Sequence, residues 1–576
     1  MLIAVLKLSF HNFTSMNIKL CIFILLFFQV LSLNLSAQEW QWAKGSACTD
    51  ERPTVFESSP IAVDNKGNVY EIGLATAIYD DTLKSSFGPF TLIDSYNTGS
   101  QSIIVSTDSN GSYRWVMGSQ KNVVYFTNMS VDLNGTTYII GYCPAGLFTF
   151  GSISFYSSDY FCIKVNASGN VLWIKDIAPG AYWISTISVN SSGSFYIAGM
   201  FTNTITIDTT ILTNNDPTGV NTDIFYAKYD SSGHAYWAKS FGGRLSDYLL
   251  NDDISNAVIT KDSNLYIAGY FRSDTMIIGS DTLNGSASLP FYIAKFNDSG
   301  HPLWARSINS LSAYAMYDRI NGLATDNNGN AYISGSYGTN FHFGVDTLPF
   351  ADSLSLMYLA KYDSSGNAKW AKTIGPSKFA VGYSIATDGC GNIWMIGGRG
   401  FNSDSMFLAQ WDTAGYVKDT FWLSVGGDDQ AGICVDSKGC FYVGGDYNNP
   451  FILGGDTLIL VDSNLEALFV LKYRYDYPGC IPDHSENSQN LNYIAHPLIS
   501  LFPNPTTESF TINSDCPFQN GSQVEIYDLT GRLINKYPLS GNNTSIPVNN
   551  LQPGMYECRI YNPGHGIETR KLAVMR

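Results

Sequence analysis

The sequence predicts an all-β fold: a seven-bladed β-propeller closed by its N-terminal strand and followed by a small Ig-like β-sandwich. Three observations lead to this prediction: a composition suited to short strands, a set of motifs that recurs seven times, and one motif copy displaced to the N-terminus. Tyr (36), Phe (33) and Gly (52) are abundant, while charged residues make up only 14% of the chain. Such a composition fits many short strands joined by tight turns, and 576 residues are enough for a repeat array.

The charge of the chain excludes one class of partner. Its formal net charge is −16 at pH 7. Nucleic-acid binding needs a basic surface, because the release of counterions from phosphates supplies much of the affinity. We therefore expect no nucleic-acid partner and interpret the acidic surface as a source of solubility.

The N-terminus has the layout of a cleavable signal peptide over residues 1–37. Lys19 precedes a short apolar run, and a small-residue cleavage site lies between Ala37 and Gln38. Met16 would begin a signal of ordinary length, so it is the expected translation start. The apolar run is short for a bilayer span and no other stretch is apolar enough, which predicts no transmembrane anchor in the mature chain.

The first repeated motif is a hairpin whose turn begins with an Asp or Asn residue. In its first copy, the segment 64–67 separates two apolar strands. Such side chains favour turns because they accept hydrogen bonds from nearby backbone N–H groups. Successive copies are 48 to 72 residues apart, which is long for one blade and predicts an extra hairpin in most units. The predicted turn residues are Asp64, Asp132, Asn190, Asp262, Asp326, Asp388 and Asp436.

The second motif is a strand of alternating hydrophobicity, and the third is a strand centred on tryptophan. In four copies a lysine of the second motif precedes the tryptophan by nine residues, at Lys164, Lys228, Lys295 and Lys361. The predicted blade-packing tryptophans are Trp42, Trp115, Trp173, Trp237, Trp304, Trp370 and Trp422. Large aromatic side chains bury much apolar area, so packing is favoured over a role as sugar-stacking platforms.

Trp42 is displaced relative to the other copies of the third motif. It precedes the first hairpin in a Trp-Ala-Lys sequence that recurs at Trp237 and Trp370, whereas the last unit, from Asp436 to Tyr473, lacks a tryptophan strand. If the N-terminal strand completes the last blade, a closed ring forms and both end faces are buried. The displaced copy therefore favours a closed propeller over a β-solenoid or a string of sandwiches.

The units share a consensus sequence over residues 38–479. It includes an Ala-Lys-x-Asp segment at 227–230, a Trp-Ala-Lys segment at 237–239 and a Gly-Asn-x-Tyr segment at 67–70. In these segments the chain resembles the SBBP-type β-propeller repeats of bacterial secreted proteins. The resemblance implies the fold and says little about activity, because members of that family are mostly uncharacterised surface proteins.

The repeat ends near residue 479, where a polar linker is predicted over 480–498. Short alternating strands follow over 499–576 and predict a small sandwich. This last segment contains four ordered motifs, namely Leu-Phe-Pro-Asn-Pro at 501–505, Tyr-Asp-Leu-Thr-Gly-Arg at 527–532, Gln-Pro-Gly-Met-Tyr at 552–556 and Lys-Leu-Ala-Val at 571–574.

With these motifs the segment resembles the type A C-terminal sorting domain of the type IX secretion system. The resemblance implies a Gram-negative, Bacteroidetes-type bacterium, with export by that machinery and removal of the segment by its C-terminal signal peptidase. The mature protein would be extracellular or attached to the outer-membrane surface. The matched positions of the sorting signal are Pro503, Asn504, Pro505, Gly531, Gly554 and Lys571. A structural Ig-like domain is the other interpretation.

No motif predicts catalysis, a metal or a cofactor, so we expect no catalytic residue and no bound cofactor. The nucleophile elbow, the zincin helix and the phosphate-binding loop are absent from the sequence. His234 and His301 follow turn glycines, where side chains are usually solvated. The Asp326 turn is rich in Asp, Asn and Gly and raises calcium binding as an alternative, but Asx-turn capping explains all seven copies.

Nine cysteines remain once the signal peptide and its Cys21 are removed. This is an odd number in a compartment where disulfides form. Two pairings are plausible, Cys516 with Cys558 and Cys434 with Cys440. The sequence leaves the disulfide connectivity open. The spacings fit no zinc site.

The four lysines of the second motif raise a binding hypothesis. Equivalent positions in a ring form a circle, and lysines facing the channel could hold an anionic glycan or carboxylate. A solubilising role on the polar face of each blade is favoured, partly because Gln410 replaces the lysine in one copy.

A recurring Asp-Thr-Leu sequence resembles an acceptor motif for O-glycosylation. Simple repetition of a hairpin turn explains it too and is the favoured interpretation. The copies begin at Asp81, Asp281, Asp346 and Asp456.

Together these patterns predict a secreted or cell-surface β-propeller that acts as a binding, adhesion or scaffold module for a surface glycan or protein. A purely structural surface component is a second possibility. The alternative from another class is a propeller enzyme that acts on extracellular glycans at the central channel. Two close carboxylates with raised pKa values in that channel would favour the enzyme.

Overall fold

A computed structural model describes the chain as an all-β protein of two compact units, Met1–Asp483 and His484–Arg576. The predicted signal peptide, its cleavage site and the predicted linker lie outside the described residues. Within the described residues no segment forms a helix, and none therefore forms a helix able to cross a membrane. The described residues are 39–48, 54–77, 84–93, 100–215, 221–244, 252–260, 262–273, 275–285, 290–310, 318–338, 341–344, 346–348, 356–374, 380–388, 391–399, 406–423, 431–447, 451–453, 456–458, 467–474, 499–502, 506–518, 521–528, 532–562 and 566–574.

The first unit is built from short strands. The first fourteen are β1 (Glu39–Gly45), β2 (Ala47–Cys48), β3 (Thr54–Val63), β4 (Val69–Ala77), β5 (Lys84–Phe87), β6 (Phe90–Ile93), β7 (Ser100–Thr107), β8 (Tyr113–Gly118), β9 (Tyr125–Val131), β10 (Thr137–Tyr142), β11 (Gly146–Phe150), β12 (Ile153–Ser157), β13 (Tyr160–Val165) and β14 (Val171–Asp176). The next thirteen are β15 (Trp183–Val189), β16 (Phe195–Phe201), β17 (Thr204–Ile207), β18 (Thr210–Thr213), β19 (Asp223–Tyr229), β20 (Ala235–Phe241), β21 (Gly243–Arg244), β22 (Asp253–Ile259), β23 (Leu265–Tyr270), β24 (Thr275–Ile278), β25 (Asp281–Asn284), β26 (Phe291–Phe296) and β27 (Pro302–Ser310). The remaining strands of this unit are β28 (Arg319–Thr325), β29 (Ala331–Tyr337), β30 (Phe341–Phe343), β31 (Asp346–Leu348), β32 (Leu356–Tyr362), β33 (Ala368–Ile374), β34 (Ala380–Thr387), β35 (Ile393–Arg399), β36 (Met406–Trp411), β37 (Val417–Leu423), β38 (Gly432–Val435), β39 (Cys440–Tyr447), β40 (Phe451–Leu453), β41 (Asp456–Leu458) and β42 (Ala467–Arg474).

Most of these strands belong to a repeated antiparallel sheet of four strands. We number the sheets along the chain and call their strands first to fourth in sheet order. Sheets 1 to 7 are β3-β4-β7-β8, β9-β10-β13-β14, β15-β16-β19-β20, β22-β23-β26-β27, β28-β29-β32-β33, β34-β35-β36-β37 and β38-β39-β42-β1. Sheet 4 continues beyond these four strands, because β27 also pairs with the hairpin β30-β31. The seventh sheet takes its fourth strand from the N-terminus.

The first strands of consecutive sheets pack against each other in a continuous series. In order they are β3, β9, β15, β22, β28, β34 and β38, and β38 in turn packs against β3. The series therefore closes on itself. Hydrophobic clusters fill the spaces between neighbouring sheets, for example between sheets 2 and 3 and between sheets 6 and 7.

The N-terminal strand completes the last sheet through an antiparallel ladder. Trp42 lies opposite Lys472 and Ala43 opposite Leu471. The Trp42 side chain is only 6% exposed, and its indole N–H donates a hydrogen bond to the Ser109 carbonyl in sheet 1 at 3.1 Å. This strand thus joins the last sheet to the first, as the displaced motif predicts.

The turn between the first and second strands explains why an Asp recurs there. Asp64 Oδ1 accepts hydrogen bonds from the backbone N–H groups of Lys66 and Asn68, both at 2.9 Å. Its Oδ2 accepts one from the Tyr70 hydroxyl at 3.2 Å. Because Asp64 satisfies the backbone N–H groups of its own turn, it acts as a cap, which agrees with the favoured interpretation of the repeated Asp residues.

In sheet 4 the structure corrects the predicted turn residue. The hydrogen-bonded turn begins at Thr260, whose hydroxyl accepts from the Asn264 N–H at 3.0 Å. Asp262 lies two residues further on and is exposed. Asp262 was predicted because the other turns begin with Asp or Asn. A Thr hydroxyl can cap a turn in the same way, by accepting a hydrogen bond from a backbone N–H group.

Accessory hairpins between the second and third strands account for the unequal unit lengths. They are β5-β6, β11-β12, β17-β18, β24-β25, β30-β31 and β40-β41. Among the described residues sheet 6 has no such hairpin. The outermost strand of one sheet also leads to the hairpin of the next, because β2 pairs with β5, β21 with β24, and β27 with β30.

The Asp-Thr-Leu sequences lie at these hairpins, where the Asp has a structural role. Asp281 Oδ2 accepts from the Ala305 N–H of the fourth strand at 2.7 Å, and Asp346 Oδ2 accepts from the Ala371 N–H at 3.1 Å. These bonds fasten each hairpin to the edge of its own sheet. Recurrence of the Asp therefore has a physical reason that needs no modification, in line with the favoured interpretation, and O-glycosylation stays the untested alternative. Asp81 lies outside the described residues.

The structure also tests one predicted disulfide. Cys434 lies opposite Tyr442 in the ladder, not opposite Cys440, and neither cysteine forms a disulfide in the structure. The pairing of Cys434 with Cys440 is therefore wrong. Cys558 is buried in the second unit, and the side chain of its predicted partner Cys516 lies outside the described set.

The second unit is a small sandwich of two sheets. Its strands are β43 (Ile499–Phe502), β44 (Ser509–Phe518), β45 (Gln523–Asp528), β46 (Leu533–Pro538), β47 (Gly541–Pro547), β48 (Gly554–Asn562) and β49 (Gly566–Val574). The sheets are β43-β44-β47 and β46-β45-β48-β49, and one core joins Phe510 and Ile546 to Val524 and Ile560. The more specific assignment of an Ig-like sandwich stays a prediction.

Candidate functional site

The two ends of the closed series of sheets are built differently. In an antiparallel sheet of four strands, the first and third turns lie at one end, and the second connection lies at the other with the crossover to the next sheet. We call the first end the latch end and the second the hairpin end. Tight glycine turns repeat at the latch end, whereas the accessory hairpins and the connections of variable length lie at the hairpin end.

At the latch end, a lysine of the third strand lies between two aromatic residues. Lys295 faces Tyr266 on one side of the ladder and Trp304 on the other, and its ammonium lies 5.1 Å from the Tyr266 ring centroid. It donates to the Ser364 carbonyl in the turn of sheet 5 at 3.0 Å. Burial lowers the pKa of Lys295. The tyrosine face and the carbonyl oxygen stabilise the partly buried positive charge.

The tryptophan of the fourth strand holds the same turn. The Trp304 indole N–H donates to the Ser364 carbonyl at 3.1 Å, so this oxygen accepts from both Lys295 and Trp304. Gly366 packs on the indole with a φ of +82°, and a Cβ there would lie 2.6 Å from a ring atom. The turn therefore needs glycine for both its conformation and its contact.

This arrangement, which we call the latch, recurs around the series. Each lysine ammonium lies about as close to a tyrosine ring and donates to the turn of the next sheet. The further copies are Lys164 with Tyr138 and the Ser231 carbonyl, Lys361 with Tyr332 and the Thr413 carbonyl, Lys472 with Tyr442 and the Ser109 carbonyl, and Lys228 with Tyr196 and the Asp298 carboxylate.

In sheet 1 the cation of the latch comes from a different strand. Ser106 stands at the lysine position, and the neighbouring Arg114 supplies the charge instead. Its guanidinium donates to the Ser106 hydroxyl at 2.9 Å and to the Ala167 carbonyl of sheet 2 at 2.7 Å. The Trp115 indole donates to that carbonyl too, at 3.1 Å.

Sheet 6 lacks the latch, and the structure corrects the assignment of its tryptophan. Gln410 lies opposite Asp419, which occupies the tryptophan position, while Trp422 lies three residues further along, opposite Phe407. The side chain of Trp422 is outside the described set. A latch would have nothing to hold here, because the fourth strand of sheet 7 comes from the N-terminus and no turn joins its third and fourth strands.

The four predicted ligand-binding lysines are thus the cations of four latches. Each ammonium is engaged with a neighbouring sheet, and burial also lowers the pKa of Lys164 and Lys361. This geometry supports a role in joining sheets, a role that the sequence analysis did not consider. The repeat spacing was the available signal, since a residue that holds the next unit must recur once per unit.

At the hairpin end, four neighbouring sheets present different side chains at one equivalent position. Tyr125, Trp183, Asp253 and Arg319 each open the first strand of their sheet. Each directly precedes a buried residue that pairs with a glycine of the second strand, so the four positions are in the same register. Because their strands are consecutive in the closed series, the four residues form a continuous arc at the hairpin end.

The aromatic half of the arc is exposed. Trp183 is 45% exposed and Tyr125 is 42% exposed, and Tyr182 beside Trp183 is 58% exposed. The buried Tyr160 packs edge-on against Trp183 at a centroid distance of 6.3 Å. Exposed large aromatic residues that cluster at one place are typical of ligand or partner contacts.

The polar half of the arc centres on Asp253 and Tyr270. The Tyr270 hydroxyl donates to Asp253 Oδ2 at 2.5 Å. Burial raises the pKa of Asp253, and hydrogen bonds from Tyr270 and the Ile254 N–H oppose this rise. Burial and Asp253 raise the pKa of Tyr270, and the positive charges of Arg272 and Arg319 oppose that rise.

A second carboxylate adjoins Asp253 but is committed to the backbone. Asp252 is 1% exposed and accepts hydrogen bonds from the N–H groups of Gly243, Arg272 and Ser273, at 3.0 to 3.2 Å. It therefore fixes the chain around the site, while Asp253 is half-buried at the hairpin end. Among the described residues no group of three or more His, Cys, Asp or Glu is placed to hold a metal ion.

Comparison with known proteins assigns the second unit. Residues 500–575 match the family described as the secretion system C-terminal sorting domain. This implies handling by the type IX secretion machinery and a secreted or cell-surface protein of Bacteroidetes-type bacteria. Pro503, Asn504, Pro505 and Gly531 lie outside the described residues. Gly554 begins β48, and Lys571 lies in β49 opposite Glu557 of β48.

Comparisons of the longer unit yield distant similarities. An uncharacterized WD repeat-containing protein of Acanthamoeba polyphaga mimivirus is 24% identical over 408 residues, which are 58% of this chain and 29% of that protein. The chain thus spans under a third of the relative's length.

Among solved structures, PorZ, a surface component of the type IX secretion system of Porphyromonas gingivalis, is 11% identical with a TM-score of 0.24, covering 92% of this chain and all of that one. A protein of unknown function from Bacteroides caccae is 11% identical with a TM-score of 0.29, covering 49% of this chain and 78% of that one. Since both scores are low, the architecture rests on the strand pairing above.

Proposed function

We propose that the first unit is a seven-bladed β-propeller that binds an extracellular ligand at its hairpin end after export by the type IX system. The seven sheets and the closed series of first strands support the blade number. The arc of Tyr125, Trp183, Asp253 and Arg319 carries the binding proposal. In repeat proteins, insertions concentrate on one face and that face is often the binding face.

The binding proposal is tested with variants of the arc. We expect the Trp183→Ala, Asp253→Asn double variant to lose at least about tenfold of its affinity for any ligand found on an array of glycans and surface proteins, because each good contact contributes about 1.4 kcal/mol. The measurement is titration of the purified chain without its signal peptide, residues 38–576, which is the protein used in the experiments below.

The matched control carries the same kind of changes at the latch end. Tyr416 and Lys438 are exposed there, and the Tyr416→Ala, Lys438→Gln variant should bind as the wild type does. Loss of binding in this control with retention in the arc variant would place the ligand at the other end and contradict the proposal.

A second candidate function is hydrolysis of extracellular glycans, and Asp253 is the observation that favours it. A carboxyl group with a raised pKa suits a general acid. If the protein is an enzyme, Asp253→Asn should abolish the release of reducing ends and leave glycan binding within a fewfold of wild type. Binding without any release of reducing ends would favour the binding module.

The export role of the second unit gives a further prediction. Deletion of residues 499–576 should leave nearly all of the protein inside a host competent for type IX secretion, because the machinery recognises this domain. Immunoblots of periplasmic, surface and medium fractions measure the effect, with the Tyr416→Ala variant as a normally exported control. Wild-type amounts of the truncated protein outside the cell would contradict the assignment.

A further inference from the structure

The charges of the hairpin end indicate which ligands fit the arc. Arg319 and Arg272 are both exposed, and in the described part of the chain neither guanidinium forms an ion pair. The lysines of the latches, by contrast, are committed to carbonyl and carboxylate oxygens of the next sheet. The hairpin end therefore carries two available guanidinium groups, Arg319 in the arc and Arg272 after β23, on a chain of net charge −16.

The other half of the arc offers an apolar platform. Trp183 and Tyr125 present exposed rings on the two strands that precede Asp253 in the closed series. A sugar ring has one face of C–H groups that packs on an aromatic ring, and hydroxyls at its edge that need acceptors. Asp253 supplies such acceptors. Its Oδ2 accepts a hydrogen bond from the Tyr270 hydroxyl, and the carboxylate keeps further lone pairs for a ligand.

Arg319 follows Asp253 in the arc and supplies a positive charge for an acidic ligand. A guanidinium group binds a carboxylate through two parallel hydrogen bonds, which a neutral hydroxyl group cannot match. We propose that the arc binds an oligosaccharide of acidic sugars, with a sugar ring on Trp183 and Tyr125, its hydroxyls on Asp253 and its carboxylate on Arg319. This inference rests on the proposed function and names the ligand class of the same site.

The test compares matched ligands that differ only at the carboxyl group. The exported protein is titrated with a panel of galacturonate, mannuronate, glucuronate and sialylated oligosaccharides, and with the same compounds after reduction of each carboxyl to an alcohol. We expect at least one acidic ligand to bind about tenfold or more tightly than its reduced form. The preference should weaken at higher salt, since the charges are exposed.

Two variants assign the preference to residues. Arg319→Gln should remove the discrimination between acidic and reduced ligands, while Trp183→Ala should weaken both forms by a similar factor. Lys438→Gln at the latch end removes one exposed positive charge and should leave the discrimination unchanged, which controls for net charge. Thermal unfolding of each variant verifies that it is folded.

The outcomes separate this inference from the proposed function. If no acidic ligand binds more tightly than its reduced form, or if Arg319→Gln keeps the discrimination, the acidic-sugar assignment is overturned. If a neutral glycan or a protein then binds in a manner that depends on Trp183, the proposed binding end still stands. If Trp183 and Asp253 affect no ligand at all, both proposals fail.

Discussion

Deletion of residues 38–46 should cause the largest loss of stability of any change considered for the first unit. The deletion removes β1, so the last sheet loses its fourth strand and the edge of β42 is exposed. It also removes the Trp42 side chain and its bond to Ser109 across the junction of the last and first sheets. The measurement is thermal unfolding of the truncated and intact exported protein.

A single substitution separates the strand from its key side chain. Trp42→Ala should cost about 3–5 kcal/mol of folding free energy, the usual cost of truncating a buried tryptophan. Tyr416→Ala also removes an aromatic ring, but from a side chain that is 69% exposed, and should change stability by less than about 0.5 kcal/mol. An unchanged unfolding temperature of the 38–46 deletion would refute closure by the N-terminal strand.

The sequence identifies the strand that closes the series because the last unit lacks the tryptophan strand that the other units contain. Six units contain a fourth strand after their third, and Trp42 is the spare copy that completes the seventh sheet. The same method misplaced Trp422, since it matched a residue type and could not see that Asp419 occupies the position. Sheet 6 can lack the tryptophan at this position because sheet 7 has no turn between its third and fourth strands for a latch to hold. Only the order of strands in the sheets shows that this turn is missing.

The binding arc could not be predicted by comparing units. Repeat analysis selects positions that stay the same, such as the lysines of the latch, and these turn out to be engaged between sheets. The arc is found by the opposite criterion. One structural position carries Tyr125, Trp183, Asp253 and Arg319 in four successive sheets, so each copy differs and only the register shows that they are equivalent.

Glu71 is a second departure from the repeat, and it lies at the junction where the ring closes. At its position the other sheets carry aliphatic side chains such as Ile139 and Ile197. Glu71 is 3% exposed, and its Oε1 has no hydrogen-bond partner within the described residues. It points at sheet 7, where a Cβ on Gly444 would lie 3.2 Å from that oxygen.

The charged state of Glu71 should therefore be costly in the folded protein. Burial raises the pKa of Glu71 well above its usual range, and the nearby Asp446 of sheet 7 adds to the rise. Tyr113 is a further titratable group near Glu71, and burial together with the Glu71 charge raises the Tyr113 pKa. In the unfolded chain the carboxyl group would ionise at its ordinary pKa of about 4.3.

This difference fixes the sign of the pH dependence. A group whose pKa is higher in the folded state binds more protons there, so its contribution to stability is complete below about pH 4.3 and declines as the pH rises towards the folded value. The slope approaches about 1.4 kcal/mol per pH unit in that window. Glu71→Gln keeps the shape of the side chain and cannot ionise, so this variant should lack the decline.

The difference in unfolding free energy between Glu71→Gln and wild type should thus grow in favour of the variant from pH 4 to pH 8. Chemical denaturation at each pH measures it, and the comparison cancels the contributions of other groups with raised pKa values, such as Asp252. Glu525→Gln makes the same chemical change in the second unit, so it should leave the transition of the first unit unchanged at every pH. A difference that is constant with pH, or one that shrinks as the pH rises, would show that Glu71 is charged and compensated in the folded ring.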